Sequence, residues 1–122
     1  MNKTTKKKSK YTNLVIDRKR WRRGGKYEDV ALLDDKGQMC CLGFLAKQCG
    51  IKLYRGEQCD YDSLDSEDIE KLPYGFIDAP QCPTKLHNDL IDTNDDKSLR
   101  GKEREEKIKQ LMLKANVKVT FK

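Results

Sequence analysis

Gln38-Met39-Cys40-Cys41-Leu42-Gly43-Phe44-Leu45-Ala46-Lys47-Gln48-Cys49-Gly50 is the stretch on which the fold turns. Leu42, Leu45, Ala46 and Cys49 recur at helical spacing until Gly50 stops them, which predicts a buried helix over residues 42–49. Gly43 inside that helix costs about 1 kcal/mol against alanine, so its presence implies that another backbone packs closely there. Upstream, residues 30–33 form a short apolar run closed by Asp34-Asp35-Lys36-Gly37, and residues 38–41 resume it, the pattern of a β-hairpin with a four-residue connection.

Working toward the C-terminus, residues 51–84 carry Pro73, Pro80 and Pro83 with scattered acids and no sustained period. They read as loop-rich, with one helical turn near residues 66–72. Residues 86–91 have helical character, and Asp92-Thr93-Asn94-Asp95-Asp96 reads as a polar stop. Ser98 is the expected cap of a last helix over residues 101–115, whose inward side chains are Ile108, Leu111, Met112 and Ala115. Its outer face carries Glu103 four residues before Lys107 and Glu105 four before Lys109, a solvated surface. Asn116 is a left-handed terminator, after which Val117, Val119 and Phe121 alternate with polar residues as a half-buried strand. The expected fold class is α+β: a small antiparallel sheet of residues 30–33, 38–41 and 117–121 packed against two main helices, with a loop-rich middle.

The charge is unevenly placed. Residues 1–26 hold eleven Lys and Arg against Asp17 alone, a net +10, whereas the remaining 96 residues hold 15 basic against 19 acidic side chains, a net −4. The chain of 122 residues therefore divides into a disordered basic arm over residues 1–12 and one globular domain over residues 13–122. No apolar run approaches the roughly 18 residues of a membrane span, and the lysine-rich start lacks the apolar stretch of a secretory signal, so a membrane partner is not expected.

Arg18-Lys19-Arg20-Trp21-Arg22-Arg23 follows the run Leu14-Val15-Ile16 and Asp17. Asp17 and Gly24 have the chemistry to start and end a short helical turn. Trp21 admits two readings, a core anchor with its arginines turned outward or a stacking platform for a base beside phosphate-binding guanidinium groups. The expected binding residues are Arg18, Arg20, Trp21, Arg22 and Arg23.

The five cysteines, at positions 40, 41, 49, 59 and 82, are an odd count, and with the single His87 they lack the paired spacing of a zinc site. Reduced thiols, no metal and no cofactor are expected. Cys41 stands at a helix start, where a thiol pKa can fall, and His87 is the sole imidazole that could serve as its base, the one route to a small cysteine-dependent or metal-dependent enzyme. Asn94-Asp95-Asp96 is too short a set of oxygens for an EF-hand and suits capping or a turn.

Trp21-Arg22-Arg23-Gly24, Leu32-Leu33 with Gly37-Gln38-Met39-Cys40-Cys41-Leu42-Gly43-Phe44, Asn94-Asp95-Asp96 with Arg104-Glu105, and Val117-Lys118-Val119-Thr120-Phe121 together resemble a family of small uncharacterised bacteriophage and prophage proteins. The resemblance runs through residues 13–122 in scattered blocks. It implies an accessory protein in the cytoplasm of an infected bacterium, and it assigns no residue a role. The expected function is non-enzymatic: binding and inhibiting or sequestering a host factor, either a defence protein or its nucleotide signal, through anion contacts. The alternatives are a nucleic-acid-binding module using the basic arm and the enzyme built on Cys41 and His87.

Overall fold

The computed structural model describes residues 11–24, 31–58, 60–78 and 82–122. The basic arm through residue 10, with the mobility expected of it, lies outside the described residues, as do Cys59 and Val30. Strand β1 (Thr12–Ile16) is followed by α1 (Cys41–Gln48), a 3-10 turn (Tyr61–Ser63), α2 (Ser66–Ile69), the two-residue strands β2 (Ile77–Asp78) and β3 (Cys82–Pro83), α3 (Lys85–Asp95), α4 (Gly101–Leu113) and β4 (Val117–Phe121). The α+β class is borne out.

The sheet is not the one expected. β4 pairs in parallel with β1, from Thr12 opposite Val117 to Ile16 opposite Phe121. The ladder is extended by Arg18 N donating to Lys122 O at 2.8 Å. Leu14, Ile16 and Val117 are buried on one face, while Val15 points out. Three apolar residues in a row at 14–16 concealed this alternation from the period-2 pattern. Among the described residues, the antiparallel arrangement of residues 30–33 and 38–41 shrinks to one bridge between Leu33 and Met39. Met39 is the reason: its N–H donates to Arg20 O at 2.9 Å and its carbonyl accepts from Arg22 N at 2.8 Å, so the basic segment takes the ladder positions. The turn itself is as read, with Asp34 N donating to Gln38 O and Asp34 Oδ1 accepting from the amides of Lys36 and Gln38. Among the described residues, the antiparallel ladder of β2 with β3 joins two-residue strands in the loop-rich middle.

α1 ends at Gly50 as expected, and its buried face carries Cys41, Leu42, Phe44, Leu45 and Ala46. A Cβ on Gly43 would stand 2.1 Å from the Leu32 carbonyl oxygen, so the close backbone approach is there. α3 runs through the residues read as a polar stop, because Thr93 and Asn94 lie on its inner face and are buried. Ser98 does not cap α4. Its own N–H and hydroxyl donate to Asp96 Oδ1, and Arg100 is the cap residue, its N–H donating to Glu103 Oε1 at 3.1 Å. α4 buries Ile108 and Met112, and Asn116 closes it at φ 60°. The core gathers Leu14, Ile16, Trp21, Leu42, Leu45, Tyr61, Phe76, Leu90, Ile108 and Met112 between the β1–β4 pair and helices α1, α3 and α4. Among the described residues, no helix is long and apolar enough to cross a membrane.

Candidate anion-binding site

Asp17 begins the turn after β1: its Oδ1 accepts from Lys19 N at 3.0 Å and its carbonyl from Arg20 N at 2.9 Å. The segment then runs past Met39 to Gly24, whose N–H donates to the Asn94 carbonyl at 2.8 Å. Gly24 is in the left-handed region at φ 57°, and a Cβ there would press on the Arg104 guanidinium at 3.1 Å. A glycine meets both demands at once.

Trp21 is 3% exposed. Its Nε1 donates to Asn94 Oδ1 at 2.8 Å, its ring packs 4.8 Å from that of Phe121, and the Arg23 guanidinium lies 4.5 Å from the ring centroid. The core-anchor reading of Trp21 therefore fits its surroundings, and no open ring face is left for a base.

The four arginines part company. Arg18 grips Glu105 with two hydrogen bonds, Nε to Oε2 at 2.6 Å and Nη2 to Oε1 at 2.8 Å. Arg23 Nη1 donates to the carbonyls of Arg18 and Trp21 while its plane covers the indole. Arg22 is buried, donates through Nη2 to the Ala31 carbonyl and holds Nε 3.6 Å from Asp34 Oδ2. Those three are committed to the fold. Arg20 is exposed and has no ion-pair partner among the described residues.

Arg20 stands on the wall shared by two recesses. One, of about 470 Å³, is lined by Arg20, Lys47 and Lys122 with Asp17, over a floor that includes Val15, Met39 and Phe44. The other, of about 400 Å³, is lined by Arg20, Lys47, Lys52 and Arg55 over Leu33, Met39, Ile51 and Leu53. Among the described side chains that line the two recesses, five are cations and one, Asp17, is a carboxylate. Arg55 is held in place by Nη1 donating to the Asp35 carbonyl at 3.0 Å, and Lys52 lies over the Tyr54 ring. A concave surface with one sign of charge concentrates anions, and its guanidinium groups can hold phosphate or carboxylate with paired hydrogen bonds.

Sequence reading found Arg20 and missed Lys47, Lys52, Arg55 and Lys122. They arrive from the last turn of α1, the loop after it and the chain end, and no spacing announces that they meet. Asn94 was also missed. Its Oδ1 accepts from Trp21 Nε1 and from Cys41 N at 3.1 Å, while its Nδ2 donates to Arg22 O at 3.0 Å and Asp95 Oδ1 at 2.9 Å.

The thiol and the imidazole are otherwise engaged. Cys41 is fully buried with Sγ 3.9 Å from the Leu90 carbonyl, and burial pushes its thiol pKa well up, away from a thiolate. Cys40 is also pushed up by burial, against the pull of the Gly43 amide and the Arg22 charge. His87 accepts from Tyr61 N at Nε2, which assigns the proton to Nδ1 facing Asn88 Oδ1 at 3.0 Å. Both ring nitrogens are thereby occupied. Among the described residues, no three His, Cys, Asp or Glu side chains gather as a metal site.

Comparison with protein families, with curated proteins and with solved structures finds no match to the chain.

Proposed function

We propose that this chain is a non-enzymatic binding protein that sequesters an anionic host factor, and that it does so at the groove around Arg20. The observation that carries the reading is the division of labour in residues 18–23. Arg18, Arg22 and Arg23 are spent on Glu105, Ala31 with Asp34, and Trp21, while Arg20 is exposed, has no ion-pair partner among the described residues and lines both recesses with Lys47, Lys52, Arg55 and Lys122 around it. The setting is the one the resemblance implies, an accessory protein in an infected bacterium, and the host factor proposed is a defence protein or its nucleotide signal.

The side chains that suggested an enzyme support this reading by their placement, since Cys41 donates toward a carbonyl and His87 uses both nitrogens on neighbours. The binding role first spread over Arg18, Arg20, Trp21, Arg22 and Arg23 is here concentrated on Arg20, while the other four side chains are engaged within the fold.

The test is calorimetric titration with anionic ligands, from inorganic phosphate to nucleotides and acidic peptides, at low and physiological salt. Arg20→Gln and Lys47→Gln are each expected to weaken binding about tenfold, the loss of roughly one charge-assisted contact. Arg18→Gln, which touches Glu105 rather than the groove, is expected to leave affinity within about twofold, in keeping with the small worth of exposed pairs. Wild-type affinity in Arg20→Gln would overturn the proposal.

A further inference from the structure

We infer that the groove takes a phosphodiester-linked pair of nucleotides, one in each recess, with the linking phosphate held by Arg20 and Lys47. This rests on the anion-binding reading above and names its ligand class.

The argument is one of pattern. Arg20, Met39 and Lys47 line both recesses, so they form the waist of a two-lobed groove. Each lobe, at about 470 and 400 Å³, falls within the range of small-molecule pockets, roughly 300–1,000 Å³, and has room for one ring system. Each lobe has an apolar floor, Val15 and Phe44 on one side and Leu33, Ile51 and Leu53 on the other. Met39 reaches both, and its polarisable thioether favours contact with aromatic rings. The cations divide in three sets: Lys122 lines the first recess only, Arg20 and Lys47 line both, and Lys52 and Arg55 line the second only.

A ligand complementary to that order carries negative charge at its centre between two flat, weakly hydrated groups, with further charge at its ends. A phosphodiester between two nucleosides has that order, and the guanidinium of Arg20 matches the two non-bridging oxygens of the linking phosphate. An acidic peptide reverses it, because its carboxylates sit at side-chain tips and its polar backbone would have to lie on the apolar floors. A mononucleotide fills one lobe and leaves the other.

The probes are a 5′-phosphorylated diadenylate, AMP, a ten-residue single-stranded oligoadenylate and a Glu-rich tetrapeptide, each titrated into the full chain by calorimetry. The expected result is one diadenylate per chain, bound at least about tenfold more tightly than AMP. AMP is expected at up to two per chain. Arg20→Gln, an exposed change whose folding is checked by circular dichroism, should erase most of the diadenylate advantage. Lys122→Gln and Lys52→Gln should each weaken diadenylate by a smaller factor. An oligoadenylate no tighter than diadenylate identifies a free dinucleotide, and a much tighter one identifies a stretch of single strand passing through the groove. Equal affinity for AMP and diadenylate overturns the inference while leaving an anion site standing, as does tight binding of the tetrapeptide alone. Failure of all four probes on folded wild type sinks the anion-binding reading itself.

Discussion

The indole Nε1 of Trp21 donates a 2.8 Å hydrogen bond to Asn94 Oδ1 across 73 positions of sequence. The same oxygen accepts the Cys41 amide, and the Asn94 carbonyl takes the amide of Gly24. The Trp-Arg-Arg-Gly, Cys-Cys-Leu-Gly and Asn-Asp-Asp blocks therefore meet at one residue, Asn94. It is 1% exposed, so a missing partner there cannot be replaced readily by water.

Asn94→Ala should destabilise the protein by about 3 kcal/mol, since it strands the Trp21 and Cys41 donors and the Arg22 carbonyl at roughly 1–3 kcal/mol each with partial relaxation. Trp21→Phe should cost about 1–2 kcal/mol less than Asn94→Ala, because Asn94 keeps Cys41 as a donor. Urea unfolding of both and of the double variant forms a cycle, and additive losses would mean that the two side chains are not coupled.

Gly43→Ala should be among the costliest alanine substitutions, above about 3 kcal/mol, because its Cβ would meet the Leu32 carbonyl oxygen at 2.1 Å and backbone rather than a flexible tip must yield. Gly101→Ala is the control. Nothing lies within 4 Å of its Cβ position, it opens α4, and a gain of about 0.4–1 kcal/mol is expected. Thermal midpoints measured side by side check both signs.

Glu105 has its pKa held below the ordinary glutamate value near 4.5 by the hydrogen bond from Arg18 and by that residue's charge. A folded-state pKa lowered in this way adds stability that is present above the unfolded value and is lost as pH falls through the folded one. Urea midpoints taken between pH 6 and pH 3, about the range of carboxylate titration, should therefore fall further for wild type than for Arg18→Gln. The two curves should converge at the acid end. Parallel curves would remove the pair from the acid response.

The thiols should separate by burial. Cys40 and Cys41 are buried with their pKa values pushed up by desolvation, Cys49 is partly buried and also raised, and Cys82 is exposed. Among these four described thiols, iodoacetamide on the native protein at mildly alkaline pH is expected to label Cys82 first and to leave Cys40 and Cys41 until denaturant is added. Peptide mapping by mass spectrometry reads the order. Early labelling of Cys41 would restore the nucleophile reading.

The parts of the fold that were legible are those written in local periodicity and backbone chemistry. α1 with its Gly50 stop, the inward face of α4, the left-handed Asn116 and the alternation of β4 each depend on residues within a few positions of one another. The pairing of β4 with β1 was not legible, because it is settled by which backbone groups remain after the segment from Arg20 to Arg22 has claimed Met39. The length of α3 was misread for a related reason. Thr93 and Asn94 look like a polar stop until their burial against Trp21 and Cys41 is known. The site divides in the same way: a run of four arginines signals charge, but which of them is free is decided by Glu105, Asp34 and Trp21.

The parallel ladder between β1 and β4 also sets a timetable for synthesis. Thr12–Ile16 leaves the ribosome about 100 residues ahead of the strand it pairs with, which at roughly 5–20 residues per second is a wait of about 5–20 seconds. During that interval Leu14 and Ile16 have no sheet partner, and Arg18 has no Glu105. Closure of the fold is consequently a late, long-range event of high contact order. A ribosome-stalled chain lacking Val117–Phe121 should leave β1 open to protease at the moment when α1 is already complete.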